Sequence, residues 1–356
     1  MAVNRALQVL AGRRAAERLA ERGWDPDLFP LLLGASGGPK WLVLGQLDRY
    51  LFGEFLARGR RPLSAFGSSI GAWRHACLAQ DDPVAALQRF EDDYLDQDYT
   101  RRPSPAEVSA VSARILRALL GDRGAEAIVG HPRIRSHIVT ARGRGPAASP
   151  AGPLLGGAMA AAAIGNSLHR RLLHRGFQRV VFHSGENPDE SLPLPGFATQ
   201  FTPLRDETVA PALHASGAIP FVLTGERDIP GAPPGQYWDG GIIDYHFEPG
   251  HYRGDGLILY PHFRPDLTPG WFDKLLPWRR LRAEQLDHLV LLCPSAEFVA
   301  RLPGGKIPDR SDFQRLSNAD RRHYWRRCIA ESERLAEEFA RLVEGPDPLA
   351  GVVRVS

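Results

Sequence analysis

The sequence predicts an α/β protein whose sheet is covered by helices on both faces. Short apolar runs of strand length recur along the 356 residues, at 28–33, 63–67, 134–142, 177–185, 257–263 and 287–295. Between them lie segments with apolar residues at helical spacing, or stretches rich in proline and glycine. Strands that alternate with helices and read as nearly continuous apolar runs belong to sheets buried on both sides.

From the N-terminus onward, MAVNRALQVLAGRRAAERLAERG spreads arginine and glutamate among its apolar residues. That pattern predicts an amphipathic surface helix rather than a secretory leader, whose apolar segment is uninterrupted. LFPLLL at 28–33 is a strand-like run that ends in the glycine loop GASGGPKW, and WLVLGQLDRYLFGEFLARG then keeps helical spacing as far as Gly59. Pro39 suits a first helical turn, where no N–H is needed. LSAFG at 63–67 predicts a second buried strand and IGAWRHACLAQ a second helix. Residues 83–129 read as helical and polar. Their acidic part, DDPVAALQRFEDDYLDQD, lacks the spaced ligands and central glycine of a calcium loop and reads as a solvated helix face.

PLLGGAMAAAAIG at 153–165 falls short of the ~20 apolar residues of a membrane span. It reads as a buried alanine-rich helix or as a flap over a cleft. The glycine- and proline-rich patches at 143–153 and 229–236 read as loops. Tyr324, Cys328, Leu335, Phe339 and Leu342 form one stripe of a last helix over about 318–344, stopped at Gly345-Pro346. No repeat or linker divides the chain, so a single catalytic domain over 1–356 is expected, with its core at about 28–295 and a docked helical segment at about 310–356.

Charge and cysteine usage exclude several functions. Forty-four Lys+Arg against 41 Asp+Glu leave a net charge of only +3, and the basic residues are scattered. A nucleic-acid binder would gather them on one face with interleaved aromatics, so no nucleic-acid partner is expected. Cys77, Cys293 and Cys328 are far apart and odd in number, which suits a reducing, cytoplasmic compartment and no disulfide framework. The cysteines are dispersed, so neither metal nor cofactor is expected. PGWFDKLLPWRRLR at 269–282 mixes Trp271, Phe272, Leu275, Leu276 and Trp278 with Lys274, Arg279, Arg280 and Arg282. Such a segment suits peripheral contact with a membrane surface, or an ordinary docking role.

Chemistry is concentrated around FGSSIGAW, where Ser69 lies in a G-x-S-x-G pattern between a predicted strand and a predicted helix. In a nucleophile elbow the chain turns sharply there, and the glycines two residues to either side, here Gly67 and Gly71, prevent clashes. Acyl transfer also needs N–H donors for a developing oxyanion, which a glycine loop at a helix N-terminus can supply. Gly37 and Gly38 sit in such a loop, which reads equally as a tight structural turn. A nucleotide-binding P-loop is disfavoured, because Lys40 lies between Pro39 and Trp41 instead of following glycine and preceding Ser or Thr. Further on come PALHASGAIPFVL at 211–223 and QYWDGGIIDYH around Asp239.

In this order, a glycine loop with a basic residue, a G-x-S-x-G elbow some thirty residues later, Ala215-Ser216-Gly217-Ala218-Ile219-Pro220 and Asp239-Gly240-Gly241 resemble the patatin-like phospholipase family over about residues 30–245. The resemblance implies a three-layer α/β/α fold around a mostly parallel sheet and hydrolysis of lipid acyl esters by a Ser-Asp dyad without histidine. Carried over, Ser69 is the nucleophile, Asp239 the base, Gly37 and Gly38 the oxyanion loop, and Lys40 the loop's basic position. Ser36 and Trp41 stand where the family has glycines, and IIDYHF lacks the asparagine and proline that usually follow D-G-G. Two alternatives stay open: a Ser-Asp-His triad, for which His246, His251, His262 and His288 follow Asp239 in the required order, and a catalytically silent lipid-binding protein. His75, in the helix after the elbow, is a weaker candidate base.

Overall fold

The structure, a computed structural model, describes residues 5–100 and 102–355. Eleven strands form one sheet: β1 (Leu7–Gly12), β2 (Leu31–Gly34), β3 (Leu63–Ser68), β4 (Ile134–Gly143), β5 (Phe177–His183), β6 (Thr199–Pro203), β7 (Glu226–Arg227), β8 (Gln236–Asp239), β9 (Ile258–Pro261), β10 (Leu289–Pro294) and β11 (Val352–Val355). The main path runs β11-β1-β10-β9-β2-β3-β4-β5-β6, with β8 pairing β4 and β7 pairing β8. Neighbours from β10 through β9, β2 and β3 to β4 are all parallel, while β1/β10, β4/β5, β4/β8 and β7/β8 are antiparallel.

Every residue of β2, β3, β9 and β10 is buried, as a sheet covered on both faces requires. This is the mostly parallel, three-layer α/β/α architecture that the resemblance implied. The outermost strands are different: β6 and β11 are largely half-buried or exposed, as edge strands are.

Three expectations need correction. The N-terminal region is not helical throughout, since residues 7–12 form β1 and the helix begins only at Arg13; residues 1–4 lie outside the described part. LQVLAG alternates buried and half-buried side chains and is paired on both edges, so sheet pairing overrides the helical pattern of the flanking sequence. The expected long C-terminal helix is two, Asn318–Glu331 and Glu333–Glu344. At the break, the Ser332 hydroxyl donates back to the Ile329 carbonyl and accepts the Gln46 N–H, and the stripe residues stay buried on either side. Finally, residues 152–168 do form a helix, but only Leu155, Met159 and Asn166 are buried; it is not the buried alanine-rich helix expected.

The helical stretch after the glycine loop is irregular. A 3-10 segment Gly38–Leu44 leads into an α-turn Gly45–Tyr50, then a π-type turn Leu51–Phe55, before Gly59 ends it. No helix among the described residues is long and apolar enough to cross a membrane.

Candidate active site

The site forms where the register of β4 brings two strand ends together. β3 runs parallel along one edge of β4 and stops with Ser68 opposite Val139. From Thr140 onward the same edge is taken over by β8, which runs the other way and ends with Asp239 opposite Thr140. The carboxyl ends of β3 and β8 therefore meet, and the residue after one end faces the last residue of the other. The Ser69 hydroxyl donates to Asp239 Oδ2 at 2.8 Å.

Ser69 bridges β3 and the helix Ile70–Leu78 at φ 55°, in the left-handed region that only a few non-glycine residues occupy. Such strain persists when the surroundings over-determine it. Here the Ser69 N–H donates to Ser216 Oγ at 2.8 Å, and the Ser216 hydroxyl donates in turn to the Val139 carbonyl at 2.7 Å. The helix Asp206–Gly217 thus pins the bend from outside the elbow. Gly71 is needed for close approach: a Cβ there would lie 2.1 Å from the Gly34 carbonyl oxygen. Gly67 likewise faces the Ala72 backbone across the turn. On the elbow helix, Arg74 grips Asp48 with two nitrogens at 2.6 Å, a fully buried fork that ties it to the helical turn Gly45–Tyr50.

Asp239 is 5% exposed and Ser69 3%. The Gly241 N–H donates to Asp239 Oδ1 at 2.7 Å, which leaves Oδ2 for the serine. Burial raises the Asp239 carboxyl above the ordinary range, against the pull of the Arg310 charge, the Ser69 and Gly241 hydrogen bonds and the Lys274 charge. Gly240 packs against the Val139 carbonyl and Ser68 Oγ, and Gly241 against Ser36 Oγ. Five residues past Asp239, Asp244 is held by Arg179 of β5 at 2.6 and 2.8 Å, which fixes the chain leaving the site.

The loop after β2 lies beside the elbow, because Gly34 and Gly67 are register partners at the carboxyl ends of parallel strands. Gly37 and Gly38 open the helical turn Gly38–Leu44, so their N–H groups have no partner inside it. Gly38 adopts φ +57°, and the Arg310 side chain lies over it. Ser36 donates from Oγ to Ser68 Oγ at 3.0 Å. Lys40 is half-buried and makes no hydrogen bond to Ser69 or Asp239; loss of hydration lowers its pKa, and Asp309 opposes that. Trp41 stacks on Phe90 in the core at 4.4 Å.

Access is narrow. A crevice of about 10 Å³ is lined by Ser36, Asp239, Tyr245 and, across from them, Ile219-Pro220, Trp271, Lys274 and Arg310. The Lys274 ammonium sits 3.8 Å from the Tyr245 ring centroid, and lost hydration there, with the Arg310 charge, pushes it down to about 7. A far larger cavity, about 480 Å³, opens beside Leu28, Pro30 and Leu257. These residues precede β2 and β9, at the amino ends of the parallel strands, whereas ligands of such sheets bind at the carboxyl ends.

No histidine is hydrogen-bonded to Ser69 or Asp239 among the described residues. His246 accepts the Thr268 N–H, His262 interacts with the Arg264 backbone, and the two rings lie 4.3 Å apart; burial holds both well toward the neutral form. His75 is buried in the elbow helix, next to Gly34, and His288 bonds the Gly256 carbonyl. His251 is exposed at the surface. Sequence reasoning quoted Ser216 and Tyr245 only inside longer segments, and it missed Arg310 altogether. Nothing in the local pattern around 245 or 310 marks them, because tertiary packing alone brings them to the crevice.

A family model described as patatin-like phospholipase matches residues 36–246, more than half of the chain. No curated protein and no solved structure matches the chain significantly.

Proposed function

Because the chain belongs to the patatin-like phospholipase family, whose members are lipid acyl hydrolases, we propose that it cleaves carboxylic esters of lipids with Ser69 as nucleophile and Asp239 as base. The observation that carries this reading is the 2.8 Å hydrogen bond from the strained Ser69 to a buried, doubly bonded Asp239.

In the first half-reaction Ser69 Oγ attacks the ester carbonyl carbon and its proton passes to Asp239 Oδ2. The same proton then goes to the leaving alkoxide as the C–O bond breaks, which leaves an acyl-serine. Water attacks the acyl carbon next, gives a proton to Asp239, and releases the acid while the proton returns to Ser69. A free aspartate, at a pKa of ~3.9, is a weak base for this work, since the best match lies near ~7. Burial of Asp239 moves it in the required direction. The Gly37 and Gly38 N–H groups, together with the N-terminus of the elbow helix, are the candidates to receive the oxyanion.

The test is covalent labelling with a fluorophosphonate probe, located by peptide mass spectrometry in the wild type, Ser69→Ala and Asp239→Asn. Labelling at Ser69 that both substitutions abolish, in folded protein, supports the dyad. A folded Asp239→Asn protein that labels and turns over at the wild-type rate removes Asp239 as the base.

A further inference from the structure

Nine large hydrophobic side chains are exposed among the described residues, and seven of them lie on two segments that line the crevice and on a helix packed behind them. Phe221 and Val222 directly follow the crevice-lining Ile219-Pro220, and Phe221 is held at φ +68° with half its surface in solvent. On a second crevice-lining segment, Leu275 (90% exposed) directly follows Lys274 and Trp278 (67%) comes four residues after it. The third segment is the helix Gly152–Leu168, whose 17 residues include no charge and whose Leu154, Ile164 and Leu168 project into solvent.

That helix is fastened to the site. Leu155 and Met159 belong to the same apolar cluster as Trp238 and Ile242, which flank the Asp239 turn, and Trp271 and Phe272 pack against this cluster. At its far end Asn166 donates to Asp273 at 2.7 Å, and Arg279 donates to the Asn166 carbonyl at 3.2 Å. The helix and the 271–279 segment therefore form one body, with its inner side on the site and its outer side apolar and uncovered. Contiguous exposed apolar surface of this kind marks an interaction site.

Charge identifies the occupant. Residues 152–175 and 274–283 carry seven Lys/Arg and no acid; Arg170 is taken up by Glu248 and Asp273 and Arg280 by Asp266, which leaves Arg171, Arg175, Arg279 and Arg282 without a carboxylate partner among the described residues. Apolar side chains that project beside these four unpaired arginines match the interface of an anionic bilayer, in which aromatic and aliphatic groups enter the acyl boundary and cations meet the headgroups.

We propose that this rim docks the protein onto an anionic lipid bilayer with the Ser69 crevice facing the membrane. Two crevice-lining segments continue into the inserted residues, so a lipid ester enters from the bilayer without crossing water. The proposal deepens the lipid-hydrolase reading and rests on it for the direction of substrate entry.

The full chain is sedimented with vesicles of phosphatidylcholine and of phosphatidylcholine mixed with phosphatidylglycerol. The double variants Leu275→Ser/Trp278→Ser and Ile164→Ser/Leu168→Ser are tested in parallel, and all of these positions lie outside the crevice. The wild type is expected on the mixed vesicles, and less so at high salt. Each double variant should partition roughly tenfold more weakly or worse, while labelling at Ser69 and cleavage of a soluble short-chain ester stay at the wild-type level. Absence of the wild type from mixed vesicles, or variants that bind as it does, would overturn the proposal. So would a wild-type dimer that both variants dissociate and that ignores vesicles, since a second copy then covers the rim. Vesicle binding without Ser69 labelling keeps the docking and sinks the hydrolase reading.

Discussion

At the scale of single residues, the site stores free energy that the fold would be better without. The folded state raises the Asp239 carboxyl above its unfolded value of ~3.9, so the native protein holds that proton more tightly than the unfolded chain. Stability then falls as pH rises from the unfolded pKa through the folded one, and above that window the buried charge is a standing cost. Asp239→Asn keeps an acceptor for the Gly241 N–H and a donor for Ser69 Oγ. Its melting temperature at neutral pH should therefore exceed the wild type's even as labelling is lost; a lower value would mean that the carboxylate is net stabilising. Arg310 has the opposite effect on the same group, since its charge is the foremost influence holding the Asp239 pKa down. Arg310→Met, at an exposed position, should move the acidic limb of the kcat/KM profile for a soluble ester to higher pH. An unmoved limb would show that Arg310 is too well solvated to act on the dyad.

At the scale of elements, the elbow and the uncharged helix make opposite demands on glycine. Gly71→Ala would set a methyl 2.1 Å from the Gly34 carbonyl oxygen and force the elbow helix away from the end of β2; a loss of about 3 kcal/mol or more in urea unfolding is expected. Gly157 lies inside the helix Gly152–Leu168 with nothing within 4 Å of an added Cβ, so Gly157→Ala should stabilise by ~0.5–1 kcal/mol in the same assay. This contrast also shows what could be read from the sequence. β2, β3, β9 and β10 were legible because they are buried on both faces and read as apolar runs, β4 and β5 because their apolar residues keep strand spacing, and the elbow because its sterics demand glycine at fixed offsets. β1, β6 and β11 were not. The first is embedded in a helix-like charge pattern, and the other two are edge strands of mixed polarity whose state is decided by pairing. Of the site, the residues carried by short motifs were found. Lys274 and Arg310 reach the crevice from distant parts of the chain through packing that no local spacing records, and the exposure of residues 152–168 depends on what the rest of the chain leaves uncovered.

At the scale of the whole molecule, the family-matched stretch does not contain the sheet it needs. The match ends at residue 246, yet β2 has β3 on one edge and β9, from Ile258 to Pro261, on the other, with β10, β1 and β11 beyond. Leu31 and Leu32 of β2, fully buried, pair directly with Ile258 and Leu259 of β9. Without β9, β2 becomes an apolar edge with unpaired N–H and C=O groups, the type of edge that aggregates. The C-terminal helices add to the same core, since Phe339 packs edge-on against Trp24, Phe55 and Tyr50, and Trp325 against Phe313. Arg310 and Lys274, both at the crevice, would be lost as well. A fragment of residues 28–246 should therefore be insoluble or lack cooperative unfolding, and should fail to label at Ser69 although every motif residue is present. Cooperative unfolding and labelling in that fragment would mean that the catalytic unit is complete within residues 28–246 and that the later strands serve only to extend it.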